Sequence, residues 1–194
     1  MRIRELKNKT FARIEQLTDE GKSKSEIADE LFQETDDKWH KVVFRWVAYH
    51  VKKDQREQYK TIGYLLTSLV AISAVLMIPM YYEWFQTRVL DGMSVGVTCL
   101  FALIQIQLLV GALKWNGRIY RSIIIIEGLK LYSLISEYMQ GNYSQWIMGY
   151  ILVIVLELVV AAYLYRKIFP TYGFFGPKKD RSGSRLLDDT FTKD

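Results

Sequence analysis

Between Tyr59 and Tyr165 the chain carries four apolar segments, and three of them hold charged or amide side chains near their middles. The segments run over Lys60 to Tyr82, Met93 to Trp115, Arg118 to Tyr138 and Ser144 to Tyr165. A helix of about 20 residues, rising about 1.5 Å per residue, spans a hydrocarbon core of about 30 Å. The pattern predicts an all-α membrane protein: a cytoplasmic helical module over 1–57, a four-helix transmembrane bundle over 58–166, and a flexible cytoplasmic tail over 167–194.

A mean hydropathy of only +0.01 would suit an ordinary globular chain. The average hides a segregation. Residues 1–60 carry 14 Lys and Arg against 12 Asp and Glu, residues 166–194 carry seven against four, and the stretch between carries five of each. The net charge of +5 is thus a modest excess at the two ends rather than a dense basic patch, and nucleic acid is not the expected partner. The single cysteine, Cys99, lies in the second apolar segment, where it is expected to pack as a small hydrophobe. The N-terminal stretch MRIRELKNKTFARIEQL has no apolar run followed by small residues, so the first span is expected to serve as the insertion signal.

Cations decide orientation. Lys52, Lys53, Arg56 and Lys60 precede the first span, Lys114, Arg118 and Arg121 fall between the second and third, and Arg166, Lys167, Lys178 and Lys179 follow the fourth. The opposite connections hold only Arg88 beside Glu83 and Asp91, and Glu137 before GNYSQW. The positive-inside rule then predicts a multi-pass protein of the plasma (inner) membrane with both termini cytoplasmic. Tyr59, Tyr64, Trp115, Tyr163 and Tyr165 would mark the inner interface, and Tyr81, Tyr82, Trp84, Tyr143 and Trp146 the outer one.

In the front module, Ile3, Leu6, Phe11, Ile14 and Leu17 form one helical face, ended by Gly21. Ser23 and Glu26 have the spacing of a capping box ahead of Ile27, Ala28, Leu31 and Phe32. A third helix from Asp36 to Lys53 would bury Trp39, Val42, Val43, Trp46, Val47 and Val51. The three are helix-turn-helix-like. A near-neutral surface fits a protein-interaction or oligomerisation module better than a DNA reader. His40 and His50, ten residues apart, do not have metal-pair spacing and read as surface or interfacial side chains.

GKSKSEI, the lead-in QYKTIGYLL, four apolar spans and the ending KIFPTYGFFGPKKDRSGSRLL together resemble small bacterial four-span membrane proteins that pair such a front module with a GPKKD tail. The resemblance implies the four-span fold and carries no activity.

Gln105 and Gln107 in the second segment, Glu127 and Lys130 in the third and Glu157 in the fourth all fall within a few residues of one depth. A charge at the bilayer centre costs about 2.5–3.5 kcal/mol on insertion scales, so these groups should face the bundle interior and pair. On the third helix Glu127, Lys130, Leu134 and Glu137 share a face. Three readings follow: a hydrogen-bonded layer that fixes helix register, an ion path in which the second carboxylate takes up a proton, or a pocket for a lipid or small hydrophobic ligand lined by the same residues. Gly92 and Gly96 form a GxxxG, Gly128 would loosen the helix or admit a neighbour, and Pro79 would kink or end the first span.

No HExxH, Cys-x-x-Cys, phosphate-binding loop or GxSxG is present, and the spans contain no histidine. Catalysis, metal and cofactor are therefore not expected. The reading is a membrane scaffold or regulatory component with a protein-binding module, possible as a homo-oligomer; the alternative is a small channel or proton-coupled transporter.

Overall fold

The computed structural model describes residues 3–87, 92–139, 145–170 and 172, with side chains over 5–78, 99–136, 138–139, 147–170 and 172. The chain is all-helical, with eight helices and no strand among the described residues. It divides into two compact units, one formed by Met1–Gln55 with Arg166–Asp194, the other by Arg56–Tyr165.

The first unit contains α1 (Ile3–Asp19), α2 (Lys24–Glu34) and α3 (Asp37–Ala48), and the short α4 (Lys53–Gln58) begins at its end. Helix α1 stops because Gly21 takes φ +81, which lets Lys22 N–H reach Leu17 O and Gly21 N–H reach Thr18 O, a Schellman closure. Helix α2 starts with the capping box: Ser23 Oγ accepts from Glu26 N–H at 3.3 Å, and Ser23 N–H donates to Glu26 Oε2 at 2.8 Å. Ile14, Leu17, Ile27, Ala28, Leu31, Val43 and Val47 meet in one core, with Phe32, Trp39 and Trp46 packed on it.

Two details depart from the sequence reading. Helix α3 ends at Ala48 rather than Lys53, and the chain turns so that Tyr49, His50 and Val51 are all buried. Gln55 then accepts from Lys52 N–H at 3.3 Å, a polar start for α4. His50 is therefore interior rather than superficial. His40 places Nε2 at 3.0 Å from both Phe32 O and Thr35 O while stacking on the Phe32 ring, so this nitrogen carries the proton and ties the end of α2 to α3.

Ile168, Phe169 and Tyr172, within the stretch read as tail, are buried. Tyr172 Oη donates to Ala48 O at 2.8 Å, and Lys24 Nζ donates to the same carbonyl at 3.1 Å. The Lys24 ammonium lies 4.9 Å from the Phe169 ring centroid and 5.6 Å from that of Tyr172. A lysine that is only 4% exposed is thus held by a carbonyl and two aromatic faces. Residues 173–194, with the GPKKD sequence, lie outside the described residues.

The second unit is built from α5 (Lys60–Thr87), α6 (Gly92–Leu113), α7 (Gly117–Met139) and α8 (Gln145–Ile168), the last three residues of α8 belonging to the first unit. Among the described residues two stretches are long and apolar enough to cross a membrane, Lys60–Ile78 and Ile147–Ile168, with hydropathies of 2.1 and 2.5. The described part of α6 adds the apolar run Cys99–Leu113. Helix α5 continues through Pro79 to Thr87, since one missing N–H removes one rung of a helix that is apolar on both sides. Helix α8 stops at Ile168, two residues before Pro170, whose ring disfavours helical geometry at Phe169.

The α6–α7 turn is a second Schellman closure, with Trp115 at φ +52, Trp115 N–H on Ala112 O and Asn116 N–H on Gly111 O. The Trp115 indole lies where a Cβ on Gly63 would be, 2.5 Å away, and Ile119 sits 2.0 Å from the Cβ that Gly111 lacks. Those two glycines let α5, α6 and α7 close on one another. Gly128, by contrast, faces open space. Cys99 is exposed rather than packed. Tyr64 and Tyr163 are exposed, whereas Tyr165 is buried. Connections 88–91 and 140–144 lie outside the described residues, as do the side chains of Gly92 to Thr98, Pro79, Tyr81, Tyr82, Trp84, Glu137 and Trp146 and that of Tyr143.

Replacing Ile27 by Ala removes a fully buried side chain from the three-helix core and is expected to cost about 2–5 kcal/mol, read as faster hydrogen exchange across residues 24–47. Acid should loosen α2. The Lys22 ammonium bonded to Glu30, and the Ser23 N–H bonded to Glu26, hold both carboxyls below the usual carboxylate range. Their contribution is present above the unfolded value, about pH 4.3, and is lost as pH falls through the lower folded values. Glu30→Gln should flatten the acid dependence of exchange in 24–34.

Candidate functional site

Each helix of the second unit presents one residue stripe inward, apolar except for one polar residue on α5, α6 and α8 and two, Glu127 and Lys130, on α7. On α5 the stripe is Leu66, Val70, Ser73 and then Met77; on α8 it is Ile147, Tyr150, Ile154, Glu157, Ala161 and Leu164. Helix α7 contributes Ile123, Glu127, Lys130 and Leu134, and α6 contributes Gln105, Leu108 and Ala112. Three- and four-residue spacing puts each set on one face. The outward faces are apolar too, including Ile72, Val75, Leu103, Ile106, Leu129, Leu152 and Val159. The polar groups therefore lie inside and the hydrophobic surface outside.

Four of the five residues expected from sequence are brought together. Glu127 and Glu157 are fully buried, and Gln105 is 4% exposed. Lys130 Nζ donates to Glu127 Oε1 at 2.7 Å, a pair within one helix turn, with the lysine side chain 9% exposed. Gln105 Nε2 donates to Ser73 Oγ at 3.3 Å and lies 3.5 Å from Met77 Sδ. The Gln105 amide also neighbours the Glu127 carboxyl. Glu157 lies beside the Ser73 hydroxyl and within electrostatic reach of both Glu127 and Lys130.

Gln107 does not join them. It is exposed, because two residues along α6 turn a side chain about 200° from Gln105. Ser73 is the member that sequence reasoning missed. Serine is commonplace in an apolar helix, and only its place between Leu66, Val70 and Met77 on the inward stripe would have singled it out.

The cluster is sealed above and below. Leu134, Ile147, Tyr150 and Ile154, with Leu76, Met77, Leu131, Ile151 and Leu158 against them, close one side. Toward the other end the same inward stripes continue as Leu66, Val70, Leu108, Ile123, Ala161 and Leu164. Within this seal, Glu127 Oε2 and the Glu157 carboxylate oxygens make no close, well-aligned hydrogen bond, though the Gln105 amide stands by the first carboxyl and the Ser73 hydroxyl by the second. Two carboxyls face one ammonium.

No family model matches the chain. No curated protein and no solved structure matches it either. The geometry of the cluster is thus the guide to its chemistry. Among the described residues no group of three or more His, Cys, Asp and Glu is arranged to hold a metal ion.

Lys130→Met should destabilise the folded protein in detergent by about 3–5 kcal/mol, because it strands the Glu127 carboxylate in an apolar interior. Lys130→Met combined with Glu127→Gln should recover most of that loss. Unfolding midpoints of the two variants side by side check the coupling.

Proposed function

We propose that the chain is an integral membrane protein with four spans, α5 to α8, whose three-helix front module docks a protein partner and gives it a scaffolding or regulatory role. The observation that carries this reading is the opposite construction of the two units. Every exposed large hydrophobic side chain among the described residues lies between Tyr64 and Tyr163, in the unit with the buried carboxyls. The front module has an apolar core and a polar surface. An apolar exterior around a polar interior suits lipid, and a polar exterior around an apolar core suits water.

The cation distribution read from the sequence supports a plasma-membrane location, of bacterial type by resemblance, with both termini cytoplasmic. A homo-oligomer is compatible with this arrangement. The front module's near balance of cations and anions argues for a protein rather than a nucleic-acid partner. The role is read as non-enzymatic, since the chain has no recognised catalytic spacing.

A second reading, a small channel or proton-coupled transporter, is favoured by one observation: Glu157 is a second fully buried carboxyl beside the Glu127–Lys130 pair, with no ion-pair partner of its own among the described residues. Proteoliposome flux separates the two. A scaffold gives no proton or cation flux above empty vesicles, and Glu127→Gln or Glu157→Gln alters only stability or assembly. A transporter gives flux in the wild type that is lost in both variants while gel filtration shows them folded. Single cysteines placed at positions 20 and 185 in a Cys99→Ala background should both react with a membrane-impermeant reagent only from the cytoplasmic side. Labelling of either from outside contradicts the topology.

A further inference from the structure

No proline or glycine lies between Asp36 and Ile62, and Val43, Val47 and Val51 keep four-residue spacing, so the sequence offers no breaker at Ala48. Yet Tyr49 to Lys52 are not helical, and α4 starts afresh at Lys53. In a continuous helix the Lys52 N–H would donate to Ala48 O. Side chains take both groups instead. Lys52 N–H donates to Gln55 Oε1 at 3.3 Å, and Ala48 O accepts from Tyr172 Oη at 2.8 Å and from Lys24 Nζ at 3.1 Å.

The segment that follows α8 is what reaches this break. The Phe169 and Tyr172 rings stack at 5.1 Å, and the Tyr49 ring meets each edge-on, at 5.8 and 6.0 Å. Tyr172 N–H donates to Phe169 O at 3.1 Å, so a single turn presents both rings. The Lys24 ammonium, set against the two rings, places a cation at the end of α3 where the helix dipole is negative. The chain leaves the first unit after Gln55 and returns to it at Arg166. The break and the segment packed on it thus lie on the two connections to α5 and α8, and they meet at one carbonyl.

We propose that Phe169 to Tyr172 form a clasp that holds α3 and α4 apart, and that withdrawing it lets the two join as one helix from Asp37 to Gln58. In the clasped state side chains pair with Ala48 O and Lys52 N–H; in the joined state these two groups pair with each other. Either arrangement satisfies both, which gives the break the character of a two-state hinge. Joining also keeps Val51 in step with Val43 and Val47 on one helical face. Only Tyr59 separates α4 from α5, so the segment after the last span sets the course of the chain into the first. The clasp is a device of the module and its two connections, and it stands or falls apart from partner docking and from flux.

The test uses the full chain purified in detergent, with the Cα chemical shifts of His50, Val51 and Lys52 read by nuclear magnetic resonance. Wild type should give non-helical values at all three. Tyr172→Ala should move them downfield to helical values, and so should Phe169→Ala. Tyr172→Phe, which removes the hydroxyl and keeps the ring, should move them part of the way. Tyr132→Ala, at an exposed position on α7, should leave them where they are. The shifts of Ile14 and Ile27, in the module core, report whether each variant is folded. Should the two alanine variants lose that core, Tyr172→Phe decides, and unchanged values in it overturn the clasp. So do wild-type or random-coil values at 50–52 in folded Tyr172→Ala, or an equal movement in Tyr132→Ala.

Discussion

A carboxylate shut inside apolar helices has to be answered by something, and in this chain the first answer is Lys130, one turn along the same helix from Glu127. The pair constrains its surroundings. Being on one helix, it needs no second element to form, so it can be carried into the interior as a unit. It also leaves each partner with unmet demands that only neighbouring helices can satisfy. Gln105 on α6, Ser73 on α5 and Glu157 on α8 are arranged around that requirement. A slip of one residue in any helix would turn its polar side chain about 100° away from the cluster. The polar residues on each stripe thus specify register in a bundle whose remaining inward contacts are mostly aliphatic and would tolerate sliding.

The two units illustrate how the same helical periodicity encodes opposite solutions. In the front module the apolar positions sit on one face of each helix, and the polar remainder supplies caps and ion pairs such as Arg13 with Glu30 and Glu34. In the second unit both faces of each helix are largely apolar, and the inward face is broken by buried polar residues. Conventional amphipathicity is readable as a stripe of hydrophobes. Its inversion is readable only as a stray polar residue within a long apolar run.

That contrast governs what could be read from the sequence. The three front helices, the Gly21 stop and the Ser23–Glu26 cap have local causes, and they were visible as spacing and residue type. Glu127, Lys130, Glu157 and Gln105 stood out because charge and amide groups are rare in apolar segments. Gln107 stood out for the same reason and did not belong, since residue type gives depth along a helix but not azimuth; the two glutamines share a depth and oppose each other in direction. Ser73 belonged and did not stand out. The burial of Lys24, Tyr49 and Tyr172 depends on contacts between residues more than a hundred positions apart, which no local pattern announces.

The α6–α7 turn has a further consequence. Trp115 adopts a left-handed backbone conformation that ordinarily falls to glycine, and its ring occupies the space left by the bare Gly63, while Ile119 fills the space left by Gly111. Each of these four positions is acceptable only because of another, so they form a single steric unit spread over three helices. Descent should treat them accordingly. A lineage that changes one must repair its counterpart or lose the close approach. Distant kin of this chain would then be marked by two missing side chains and the two large ones that fill their places.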